Sequence, residues 1–184
     1  MDATAYTFLA GAALIEALAG DLPVFSKWPN DILIQRDAQT YGKVAGILVE
    51  AANHKGKMQG LVVGIGMNVR DPQGGFPVDL PWASSLQLEH EDSQAKIFEL
   101  LAESLERWLI PLNAYDNLSK ALEILDNNSV LAGKTIRVSD GDQPVSGLFR
   151  GVGEDGALLL RPNDGQTLRI LTGDVFFEGY GHHV

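Results

Sequence analysis

The sequence predicts an α+β protein: a sheet packed on helices, followed by a small β barrel. Three observations predict it. The chain opens on an Ala- and Leu-rich stretch. Three apolar segments follow, separated by polar breaks that contain glycine. From about residue 130 the pattern changes to short β segments punctuated by "DGD", "EDG" and "NDG".

Residues 3 to 19 read as a buried helix ended by Gly20 and Pro23. The segments "VFSKWPNDILIQ", "KVAGILVEA" and "GLVVGIGMNV" read as three strands of an antiparallel sheet on that helix. The breaks "RDAQTYG" and "NHKGKMQG" are suited to hairpin connections. Residues 70 to 92 carry glycine and proline too often for regular structure. Residues 94 to 109 place Ile97, Leu101, Leu105 and Trp108 at helical spacing, with Glu91 and Asp92 ahead of them to suit a positive helix N-terminus. A further helix covers about 113 to 125. Four or five short strands after it form the barrel, which is expected to have a small core of its own. The boundary falls near residue 129 and divides the chain into 1–129 and 130–184.

Composition narrows the functional classes. The 184 residues are 45% hydrophobic and 21% charged, which is globular. No apolar run reaches the roughly 20 residues that span a bilayer. Asp2 and Glu16 mark the apolar N-terminal stretch as a helix and not a signal peptide. The absence of cysteine excludes disulfides and thiol catalysis, and it fits a cytoplasmic location. A net charge of -10 argues against nucleic acid as the main partner. His182 and His183 read as a frayed tail.

The polar cluster "KWPND" at the entrance of an apolar strand admits two readings. Pro29, Asn30 and Asp31 are good turn residues, and Trp28 suits a core. The next two segments favour a pocket. Lys43 opens one of them, and Gly46 would let a ligand approach its backbone. Gly64 interrupts the third strand, which ends on Asn68. Gly66 reads as a packing glycine. "GIG" is not a nucleotide loop of the G-x-G-x-x-G kind.

Taken together, "KWPNDILI", "GKVAGILVE" and "VVGIGMNV" resemble the signature of bacterial biotin–protein ligases. "GKTIRV", "GLFRGVGEDGALLL" and "GDVFF" resemble the SH3-like barrel that ends them. The resemblance covers most of residues 5 to 177. It implies a biotin/lipoate ligase-like core of mixed sheet and helices, then the SH3-like barrel. The implied reaction joins biotin to ATP as biotinyl-5′-AMP and transfers it to a lysine of a biotin carboxyl carrier domain, with Mg2+ accompanying ATP. Carried over by position, Lys43 matches the catalytic lysine and Asp31 the aspartate that orients the incoming lysine. Lys27 matches a phosphate-side lysine, and Asn30 and Asn68 match adenine contacts. Gly46, Leu48 and Gly64 match contacts to biotin. A homodimer is compatible with the resemblance, whereas nucleic acid and membrane are not expected partners.

The resemblance also implies a Gly- and Arg-rich loop, a biotin-ureido stretch and, in repressor types, a helix-turn-helix. All three stand upstream of the first helix, and none occurs in these residues. Glu178 stands where an arginine is expected after the last barrel strand. A fragment, a short homologue or a chain with a separate partner would each fit. The expectation is an N-terminally truncated ligase, nearly inactive alone, that holds ATP or AMP better than biotin. The alternative is a non-catalytic adenylate- or carrier-binding module.

Overall fold

The computed structural model describes residues 3–55, 57–110, 114–139, 144–163 and 165–180; the tail histidines lie outside them. The chain is α+β with two antiparallel sheets. Helix α1 (Ala3–Leu18) is buried on nearly every face, as an apolar, Ala-rich helix must be. It lies between the first sheet on one side and helices α2 (Glu91–Leu109) and α3 (Ala114–Asn127) on the other.

The first sheet has the order β1-β2-β3-β4, with β1 Val24–Lys27, β2 Asp31–Gln35, β3 Tyr41–His54 and β4 Lys57–Met67. Every named pair is antiparallel. Among the described residues, parallel pairing is confined to the isolated bridges Ser26–Ser129 and Lys43–Ala83. One expectation is corrected here. "VFSKWPNDILIQ" is not one strand but a hairpin, turned at Trp28-Pro29-Asn30, with a cis Trp28–Pro29 peptide. Proline cannot donate to a ladder, and Asn and Asp favour turns, so the chain reverses there. Helix α2 also starts earlier than expected, which places Glu91 and Asp92 inside its first turn.

The second sheet has the order β8-β7-β6-β5-β9, with β5 Thr135–Ser139, β6 Val145–Val152, β7 Leu158–Arg161, β8 Leu168–Ile170 and β9 Asp174–Phe176. Its core is not self-contained. Ile136, Phe149, Leu158 and Leu160 belong to one buried cluster with Phe8, Trp28 and Ile32. The joint is close: a Cβ on Gly156 would meet the Phe8 ring at 2.1 Å, and the Trp28 indole N–H donates to the Gly156 carbonyl at 2.9 Å. Glycine at 156, with φ +83°, is what lets the turn settle on α1.

Glu16 ties α1 to α2. It accepts hydrogen bonds from Ser104 (3.2 Å), Arg107 (2.9 Å) and Trp108 (2.6 Å). Burial pushes the carboxyl up, but the hydrogen bonds from Trp108 and Arg107 outweigh it and leave the pKa below 4.5. A depressed folded-state pKa stabilises above the unfolded value, and that stability is lost as pH falls through the folded one. Glu16→Gln should therefore lower the thermal midpoint at neutral pH. The gap from wild type should close as pH drops below 4.5, as melting curves from pH 7 to 3 will test.

Candidate active site

The β1–β2 turn places Lys27 and Asp31 in register, and the β2–β3 ladder sets Asp31 opposite Gly46. Around the Asp31 carboxylate two ammonium groups converge. Lys27 Nζ lies 3.1 Å from Oδ2 and Lys43 Nζ lies 2.5 Å from Oδ1. Asp31 and Lys27 are buried, whereas the Lys43 side chain is 36% exposed. One carboxylate between two cations leaves a positive charge in excess, and the accessible part of it is on Lys43. Lys27 is not at the open surface. Its ammonium faces the Tyr180 ring at 5.1 Å, and burial followed by the Asp31 charge pushes the Tyr180 hydroxyl well above its ordinary value.

Above this ion group lies an open groove of about 500 Å3. It is lined by Asn30, Lys43, Gly46, Ile47, Leu48, Gly64, Ile65 and Gly66. Period-two alternation along β3 and β4 puts Leu48, Gly64 and Gly66 on this face. Lys43 lies across Gly46, where an added Cβ would stand 3.1 Å from both Cε and Nζ. Gly66 is not a packing glycine, since a Cβ there would meet nothing within 4 Å. Gly64 is similarly open, with only the Leu48 carbonyl at 3.5 Å. The groove floor is thus largely bare backbone, flanked by the Leu48 side chain, which is 62% exposed.

The two asparagines are held by main chain. Asn30 Nδ2 donates to the Ile47 carbonyl at 2.9 Å, and the Ile47 N–H returns to the Asn30 carbonyl at 2.9 Å. Asn68 Nδ2 donates to the Ser84 carbonyl at 2.9 Å; Asn68 does not line the groove but sits past the end of β4. Sequence reasoning missed the segment around Trp82 and Ser84, taken only as loop. The Lys43 N–H donates to the Trp82 carbonyl at 2.6 Å, and the Ser84 N–H to the Lys43 carbonyl at 2.9 Å. Glu178 stands apart from the groove, beside Lys134. Burial lowers the Lys134 pKa while the Glu178 charge raises it, and the Lys134 ammonium lies 4.4 Å from the rings of both Tyr41 and Phe177.

Such a site can receive an anion at Lys43 and a flat or apolar group on the glycine-lined floor. Comparison with known proteins gives the family. Residues 2–68 match the biotin/lipoate A/B protein ligase family, and residues 132–178 match the biotin protein ligase C-terminal domain. The chain is 30% identical over 189 residues to the biotin--[acetyl-CoA-carboxylase] ligase of Paracoccus denitrificans, covering 97% of this chain and 75% of that protein. It is 27% identical over 166 residues to the bifunctional ligase/repressor BirA of Escherichia coli, covering 81% of this chain and 44% of that protein. Among solved structures, biotin protein ligase from Aquifex aeolicus superposes with a TM-score of 0.71 at 22% identity, over 96% of this chain and 76% of that one. The same ligase in complex with biotin and ATP gives 0.68 at 23% identity, over 94% and 70%. These structural likenesses speak to the fold.

Proposed function

Since the chain belongs to the biotin protein ligase family, we propose that its groove serves the chemistry of that family. Biotin is activated by ATP as biotinyl-5′-AMP and then passed to a lysine of a carrier domain. The observation that supports this most is the Lys27–Asp31–Lys43 group under an open, glycine-floored groove.

In the first step a carboxylate oxygen of biotin attacks the α-phosphorus. The new O–P bond forms, the bond to the bridging oxygen of the β-phosphate breaks, and pyrophosphate leaves. Two anions must approach each other, so a cation at the reacting phosphate lowers the barrier. Lys43 is assigned that role. Lys27 is assigned to the phosphate side, where it offsets the Asp31 charge from below and leaves that of Lys43 in excess. In the second step a neutral lysine amine of the carrier attacks the acyl carbon, and the bond to AMP breaks. Asp31 is assigned to orient that amine, which matters because positioning carries much of such a reaction. Gly46, Gly64 and Leu48 are assigned to biotin, and Asn30 and Asn68 to adenine.

Among the described residues no group of three or more His, Cys, Asp or Glu side chains could hold a metal ion. Magnesium would therefore come on the ATP phosphates, and no step here is routed through it. Residues 1–129 are proposed to carry the chemistry and 130–184 to support it. A carrier domain is the proposed protein partner, with a homodimer as a further assignment, and the cytoplasm is the proposed location. No described helix is long and apolar enough to cross a membrane.

The test is ATP–pyrophosphate exchange at stoichiometric protein, where slow turnover is measurable. Exchange that requires biotin is expected. Binding of ATP or AMP by calorimetry with no biotin-dependent exchange would instead favour a non-catalytic module.

A further inference from the structure

Residues 81–84 cross the start of β3 as a strap, with a turn at Pro81 and Trp82 and an isolated bridge from Ala83 to Lys43. The Trp82 carbonyl accepts from the Lys43 N–H at 2.6 Å, the Ser84 N–H donates to the Lys43 carbonyl at 2.9 Å, and the Ser84 carbonyl accepts from the Asn68 side-chain amide at 2.9 Å. Beyond it the Leu86 N–H donates to the Asn68 carbonyl at 2.9 Å. The strap therefore touches both Lys43 and Asn68 through main chain. The Trp82 carbonyl is engaged by β3, whereas those of Pro81 and Ala83 are engaged elsewhere.

Those two carbonyls are both taken by one side chain. Arg36, the residue after β2, donates Nη1 to the Pro81 carbonyl at 3.0 Å and Nη2 to the Ala83 carbonyl. Gly42 makes room for the arrangement, since a Cβ there would lie 2.4 Å from Ser84 Cβ and 2.5 Å from Arg36 Nε. A planar guanidinium with several fixed donors suits two carbonyls two residues apart, and a single ammonium does not. Arg36 is exposed and does not line the groove, so no direct role at the reacting atoms is assigned to it.

We propose that Arg36 is a positioning residue for the adenylate-forming step, acting through the 81–84 strap to fix the Lys43 main chain and the Asn68 side chain. This rests on the function proposed above for Lys43 and Asn68.

The experiment compares wild type, Arg36→Ala and Arg36→Lys by amide hydrogen exchange and by biotin-dependent ATP–pyrophosphate exchange. In Arg36→Ala, amides of residues 42–44 and 83–86 should exchange at least about tenfold faster, with protection of α1 and the second sheet unchanged. The rate constant of pyrophosphate exchange should fall about tenfold, more than any rise in KM for biotin. Added methylguanidinium should restore part of it, and Arg36→Lys should lie closer to Arg36→Ala than to wild type. Wild-type protection of the strap in Arg36→Ala would overturn the proposal. So would a uniform loss of protection across the chain, which would make Arg36 a general stability residue. If wild type shows no biotin-dependent exchange, the functional assignment of Lys43 fails, and the hydrogen-exchange arm alone still decides whether Arg36 holds the strap.

Discussion

Lys43→Ala is expected to lower biotin-dependent ATP–pyrophosphate exchange by a factor of about 100 or more, the usual result of removing one preorganised donor to a developing charge. Its thermal midpoint should stay close to that of wild type. The two outcomes separate because of how the ion group is built. Lys43 is the partly exposed member, and its removal leaves Asp31 still paired with Lys27 at 3.1 Å. No buried charge is orphaned, so the fold loses little. Lys43→Arg should not rescue the rate, because a planar fork does not place its charge where the compact ammonium lies against Asp31 and Gly46. Exchange in Lys43→Ala at the wild-type rate would remove Lys43 from the mechanism.

Local pattern and long-range contact were unequally legible in the sequence. The alternation that aims Leu48, Gly64 and Gly66 at one face could be read directly, as could the buried character of α1. The three segments around KWPND, AGIL and GIGMN pointed to one pocket, and Lys43, Asn30, Gly46, Leu48 and Gly64 do line a common groove. The split of β1 from β2 was masked because apolar residues flank the turn on both sides and no glycine marks it. Lys27 matches a phosphate-side lysine by position, and the sequence says nothing of its burial. Its burial depends on Tyr180, more than 150 residues away in the chain, which leaves no local signal. The strap was hidden for a related reason. Its order comes from main-chain hydrogen bonds and from Arg36, and neither imposes a periodicity on residues 81–84. The shared core of the two sheets rests on Gly156 against Phe8, a fit that short-strand spacing cannot express.

Asp31 should prove the most costly position in the site, in stability as well as activity. Replacing it with Asn keeps the shape but removes the carboxylate paired with Lys27, whose ammonium is buried. Breaking a buried pair from one side typically costs about 3–5 kcal/mol, because the remaining charge must stay desolvated or give up its proton. Asp31→Asn should therefore shift the urea midpoint down strongly. The control is the double variant Lys27→Met, Asp31→Leu. Replacing both charges by apolar side chains of similar volume is often neutral or stabilising, so the fold should return to near wild-type stability. Exchange activity should not return with it, because Lys43 then lacks the carboxylate 2.5 Å away that sets its ammonium over Gly46. Urea unfolding and pyrophosphate exchange on the three proteins give the answer. A double variant that regains both stability and activity would mean that Asp31 serves only to neutralise Lys27 and has no part in aligning Lys43 or the incoming amine.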